Sequence, residues 1–285
     1  MRCPRRDTYI GLSTSSDRLE DLANDALADI RATFQRKIEY GVATNALADT
    51  RYRLSNAYPD LLFLKNPRTR SGRFIEGSKR VYLLSHEEWL ANGKLTVGAN
   101  YLGRYLYAPA VILLHDKTEI PYSWCRNVLT HETLHSVSLY SRIWSSSTSL
   151  VQKHEALIEG ITECLLGYIL LKQHPDCYES WKSNDPDMCT IAYRERVRLF
   201  CSLAQKIGIT PLVDFYLSAE GSFTGPWNRF IQSIRLLGYT KFKYELNEQT
   251  AFREPLFREV CMRSVEGFKK IYDSFPKSLD FSRIG

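Results

Sequence analysis

His131-Glu132-Thr133-Leu134-His135 places two histidines four residues apart with a glutamate between them. On a helix, positions four apart share a face, so both imidazoles can turn a nitrogen to one metal ion while Glu132 reaches past it toward a water. Further along comes Leu157-Ile158-Glu159-Gly160-Ile161-Thr162-Glu163. Around it Ala156, Leu157, Ile158, Ile161, Cys164, Leu165, Leu166 and Ile169 cover most of a helix circumference with apolar groups, the pattern of a buried helix. Glu155, Glu159 and Glu163 form a single carboxylate stripe on it, at steps of four. A buried ionised carboxylate needs a cation or donors beside it. With two histidines on the preceding helix, a shared metal explains the stripe better than solvent exposure or pairing with Arg and Lys. Spacing alone does not choose among the three glutamates.

The surroundings give an α+β chain. Apolar residues at Leu19, Leu22, Ala23, Ala26, Leu27, Ile30, Phe34 and Ile38 predict one amphipathic helix over 16–40, capped by Ser15 or Ser16 and stopped by Gly41. A second helix is expected over 45–57 and a basic loop over 66–77. Segments 80–84 and 109–114 read as buried strands, with a third candidate at 95–101, so a small sheet (80–116) precedes the motif. From Pro121 the pattern is helical to about residue 144, with the motif well inside. Serines 145–147 and 149 with Thr148 form a connection, a helix follows over 151–172, and 174–190 reads as a polar loop. Further helices are expected at 191–207, stopped by Gly208, and at 211–219, 226–237 and 255–272.

Composition sets outer bounds. The 285 residues, 44% apolar and 12% aromatic, are enough for a sizeable core. The apolar runs are too short to cross a bilayer, and the start leads into a polar Ser-Thr-Ser-Ser tract without a signal-like apolar stretch, so a cytoplasmic protein without membrane partners is expected. The seven cysteines form no C-x-x-C pair and fit reduced thiols, a Cys177–Cys189 bridge being the one pairing left open. A net charge of +6, spread without a dense basic block, reads as a solvated surface and argues against nucleic-acid binding. His86-Glu87 and His154-Glu155 begin the motif without its second histidine, and His115 and His174 fall in expected loops.

The pair of motifs resembles the gluzincin metallopeptidases, the clan of thermolysin and the zinc aminopeptidases. In that clan a glutamate on the helix after H-E-x-x-H is the third zinc ligand, and an acidic residue four positions later orients the first histidine. The resemblance implies a zincin-like fold over 76–285, with zinc-site helices at 121–172 and a helical part at 190–285, behind an N-terminal helical region (1–75) that has no counterpart. It implies one Zn²⁺ held by His131, His135 and Glu159, with Glu163 as the partner of His131. The likeness covers roughly residues 97–220, is specific around the ligands, and weakens beyond them to Tyr193, Gly208 and Phe215-Tyr216.

The chemistry implied is hydrolysis of a peptide or protein substrate. Two neutral imidazoles and one carboxylate keep zinc a strong Lewis acid with a position left for water, and Glu132 acts as general base. The oxyanion donor of this clan is a Tyr or His outside the motif, for which Tyr193 is the first choice and His154 the second. Substrate is aligned by the strand before the motif helix. Residues 108–114 hold that position, and their apolar character fits a buried central strand nearly as well. A catalytically silent zincin that binds a peptide or protein partner is the alternative function, and Glu132 argues against it.

Overall fold

The computed structural model describes residues 16–36, 81–84, 86–91, 102–107, 111–115, 122–143, 155–183, 194–236, 281 and 284. Contacts divide the chain into two units, the first ending at Val137 and the second starting at Ser138. The helices expected over 45–57 and 255–272, the loop over 66–77, the strand candidate at 95–101, the connection at 145–149 and the boundary near residue 75 lie outside the described residues.

In the first unit, helix α1 (Ser16–Phe34) buries Leu19, Leu22, Ala23, Ala26, Leu27 and Ile30, the three-and-four spacing its sequence carries. It ends earlier than its apolar pattern suggests. Gln35 adopts a left-handed backbone (φ 51), which breaks the helical hydrogen bonding before Ile38 is reached. Strands β1 (Val81–Leu84), β2 (Gly103–Leu106) and β3 (Val111–His115) form a sheet of order β1-β3-β2, separated in sequence by a short helix α2 (His86–Ala91) between β1 and β2. β3 runs parallel to β1 with Val81 opposite Ile112, and antiparallel to β2 with Leu114 opposite Gly103.

β3 is therefore the central strand, hydrogen-bonded on both sides and buried along its whole length. This removes it as a strand that could pair with an extended peptide. Its apolar run reflects burial on both faces, and among the described residues β1 and β2 flank it. One face of the sheet, through Val81, Tyr105, Ile112 and Leu114, meets Leu19, Leu22 and Ala23 of α1 and Cys125 and Leu129 of helix α3 (Tyr122–Val137). An Arg126–Asp29 ion pair at 2.8 Å ties α3 to α1. His115 lies on the strand instead of in a loop, fully buried between Trp89 and His86.

The helix expected to run to residue 144 is broken at Ser138. The Ser136 hydroxyl donates to the Thr133 carbonyl at 2.7 Å, competing with the helical ladder. The Ser138 hydroxyl accepts the Ser141 N–H at 3.3 Å, capping helix α4 (Leu139–Ile143).

The second unit is helical among the described residues. Its centre is α5 (Glu155–Gln173), in which every residue from Leu157 to Leu170 except Glu159 is buried. Around it lie α6 (Pro175–Ser183), α7 (Arg194–Ile207) and α8 (Thr210–Tyr216), and α9 (Thr224–Leu236) packs on α8. Gly208 ends α7 at φ 78, as its position suggests.

α6 replaces the polar loop expected there. Pro175 opens the helix, a place proline suits because the first turn needs no N–H donor. Burial of Cys177, Tyr178 and Trp181 holds it. Gly167 makes this possible, since a Cβ there would stand 2.7 Å from Trp181 Cζ3 and 2.9 Å from Phe281 Cε2. The Phe281 N–H donates to the Tyr178 hydroxyl at 3.0 Å, closing the cluster.

Cys177, the cysteine at which the sequence leaves a bridge open, is in a disulfide whose partner lies outside the described residues, while Cys125, Cys164 and Cys201 are free thiols. Among the described residues, no helix is long and apolar enough to cross a membrane. The chain is thus α+β, a three-stranded mixed sheet covered by helices and followed by a helical unit.

Candidate metal centre

α3 sits against the sheet through Cys125 and Leu129, and this fixes where its other faces point. Val128, Glu132 and His135 follow at steps of four and three, a single stripe on the helix. That stripe faces β2. At Gly103 a Cβ would stand 2.5 Å from Val128 Cγ1 and 3.2 Å from both Cγ and Oε1 of Glu132. Glycine is what lets strand and helix approach this closely. Just past the strand, the Tyr107 hydroxyl is 3.5 Å from Nδ1 of His135.

Glu132 is only 7% exposed and His135 only 4%, whereas His131 is half-buried. The Nε2 atoms of His131 and His135 are 2.9 Å apart. A second histidine pair, His86 Nδ1 and His115 Nε2, has the same spacing of 2.9 Å. Ring orientation separates the two cases.

The His86 and His115 rings are 13° from coplanar with centroids 5.1 Å apart. That is about the separation of two imidazoles whose nitrogens point straight at each other through one hydrogen. It is a hydrogen-bonded pair. The His131 and His135 rings are inclined at 75° with centroids 4.6 Å apart, so their nitrogens are not collinear and converge to one side. Convergence on a third point is the geometry of chelation.

Glu159, half-buried on α5, completes the set: one ligand atom each from His131, His135 and Glu159 lie within 4.8 Å of one another. Nitrogen and oxygen ligands at about 2.1 Å from one ion stand at most about 4 Å apart. Two imidazoles and one carboxylate suit a divalent transition ion, and this group can hold one. Its identity is not fixed by the donors alone.

Among the other residues singled out in the sequence, Glu163 is 4% exposed on α5, four residues after Glu159. Between them Thr162 donates to the Ile158 carbonyl at 2.7 Å and shares a hydrogen bond with the Tyr216 hydroxyl on α8. The side chain of Glu155 and residues Tyr193 and His154 lie outside the described residues. His174 joins α5 to α6, its N–H bonded to the Leu170 carbonyl at 2.7 Å. Gly103 and Tyr107 went unnoticed in the sequence, since a lone glycine and one of 17 tyrosines carry no spacing signal.

Comparison of the chain with protein-family models, with curated proteins and with solved structures gives no match.

Proposed function

We propose that this protein is a zinc-dependent peptidase of the gluzincin type, with a zincin-like fold. The observation that carries the reading is that one ligand atom each of His131, His135 and Glu159 lies within 4.8 Å of the others, with a buried carboxylate, Glu132, next in sequence to His131. His131 and His135 bind through Nε2, Glu159 supplies the charged ligand, and Glu163 orients His131. When bound, zinc supplies a Lewis acid that activates water and polarises a carbonyl. Glu132 takes the proton of the attacking water and delivers it to the leaving amine. A carboxylate between two ligands that itself stays out of the ligand group has no part in a purely structural metal site, and this favours turnover over a silent scaffold.

The substrate is a peptide or protein. Its extended backbone is aligned at β2, the strand that touches the Glu132 stripe, in place of the central β3.

The test pairs metal content with cleavage of a diverse peptide library. Protein purified without chelator carries about one equivalent of zinc. Glu132→Gln keeps that zinc and the stability while lowering cleavage by about two to four orders of magnitude. Parent protein that holds zinc yet cleaves nothing, including after removal of residues 1–75, identifies a binding scaffold. A Glu132→Gln variant as active as the parent places the chemistry elsewhere in the chain.

A further inference from the structure

Resting on the reading just given, we propose that Tyr107 is a positioning residue for the metal centre: its phenol oxygen accepts the Nδ1–H of His135 and so fixes that ligand's tautomer and ring plane. The two nitrogens of His135 have separate jobs. Nε2 faces His131 Nε2 at 2.9 Å, on the side where the ligands converge. Nδ1 faces the Tyr107 hydroxyl at 3.5 Å. A metal on Nε2 requires the proton on Nδ1, and a proton on a nearly buried imidazole needs an acceptor. The phenol oxygen stands where that acceptor is required. A separation of 3.5 Å is long for such a bond, but a metal-bound imidazole is a stronger donor than a bare one.

Tyr107 is itself held in place. It follows directly on β2, packs against the core cluster of the first unit, and meets Tyr105 edge-on at 5.0 Å and 74°. Its ring also meets the His135 imidazole edge-on, at 6.4 Å and 63°. The hydroxyl lies on the edge of the imidazole opposite the converging nitrogens. Tyr107 therefore acts on the reaction through His135 and not on substrate. By the same strand, β2 sets two neighbours on α3: Gly103 lets Glu132 approach, and Tyr107 aligns His135.

The experiment is zinc binding by the metal-free full-length protein, measured by competition with a chromogenic chelator, together with the visible spectrum of the Co²⁺ form. Tyr107→Phe keeps the ring and its edge-on contacts and removes only the oxygen, so a role limited to packing leaves zinc affinity unchanged. The expected result is affinity lower by roughly ten- to a hundredfold with altered Co²⁺ bands. Tyr105→Phe, which keeps the ring that meets Tyr107 edge-on, retains the parent affinity. Unchanged affinity and spectrum in Tyr107→Phe overturn the proposal.

His135→Ala in the same titration tests the underlying site. If it binds zinc as tightly as the parent, or the parent binds none, the metal centre fails, and with it the role of Tyr107. If it loses zinc while Tyr107→Phe does not, only the role of Tyr107 fails. Should Tyr107→Phe not fold, the parent decides through nitrogen-15 NMR of labelled histidines in the zinc form. A His135 Nδ1–H protected from exchange supports the bond. One that exchanges as fast as an exposed imidazole overturns it.

Discussion

Gly103 of β2 and Glu132 of α3 are in direct apposition: a Cβ on the glycine would stand 3.2 Å from the carboxylate oxygen Oε1. The same added carbon would stand 2.5 Å from Val128 Cγ1, closer than a methyl group tolerates. Strand and helix thus meet through a hydrogen atom at the residue assigned as general base. The separation of strand and helix, and so the position of the carboxylate, depends on the absence of a side chain at 103.

Gly103→Ala must push α3 outward or rotate Glu132. Overpacking of this kind costs about 1–3 kcal/mol of stability. Displacing a catalytic group by about 1 Å costs on the order of a hundredfold in rate. Zinc content should stay near the parent value while kcat for peptide cleavage falls. Parent-like kinetics in a folded Gly103→Ala protein would show that the close approach does not set the base.

Glu159 and Glu163 share a helix face, and the proposed function gives them different roles. Glu159→Gln removes the only charged ligand of the group, whereas Glu163→Gln loosens the orientation of His131. In chelator competition the second variant should lose roughly ten- to a hundredfold in zinc affinity and the first far more. The reverse ranking would move the third ligand to Glu163.

Cys125, buried between α3 and the sheet, gives a stability signature in alkali. Burial pushes its thiol up to about 11, because the thiolate loses hydration there. The folded state holds that proton more tightly than the unfolded state does, so the stabilisation is fully present below pH 9 and is lost as pH rises toward about 11. Denaturant midpoints should fall across this interval, and less steeply in Cys125→Ala, a comparison that rests on slope and not on absolute stability. At pH 8 the native protein should resist alkylation at Cys125, and at Cys164, which burial and the nearby Cys201 also push up.

What the sequence determined by itself was local. Periodicity put H-E-x-x-H on one helix and Glu159-Gly160-Ile161-Thr162-Glu163 on a buried one, because helical spacing at four residues is a property of the backbone and holds in any fold. Gly208 announced the end of α7 because only a left-handed residue was needed there. These local rules named the candidate ligand group, with the family resemblance choosing Glu159 from its stripe.

Other features rested on contacts between distant segments. Whether residues 111–115 formed an edge or a centre depended on β2 pairing along one side and β1 along the other. Residues 175–183 read as part of a polar loop until Trp181 found the space left by Gly167 and the ring of Phe281. His115 read as a loop residue until Trp89 stacked on it at 4.9 Å. Tyr107 and His135, 28 positions apart, meet only because the sheet folds β2 against α3. Periodicity records which face of a segment is apolar, but not which distant segment will cover it, and the packing that answers this also brought Gly103 and Tyr107 against α3.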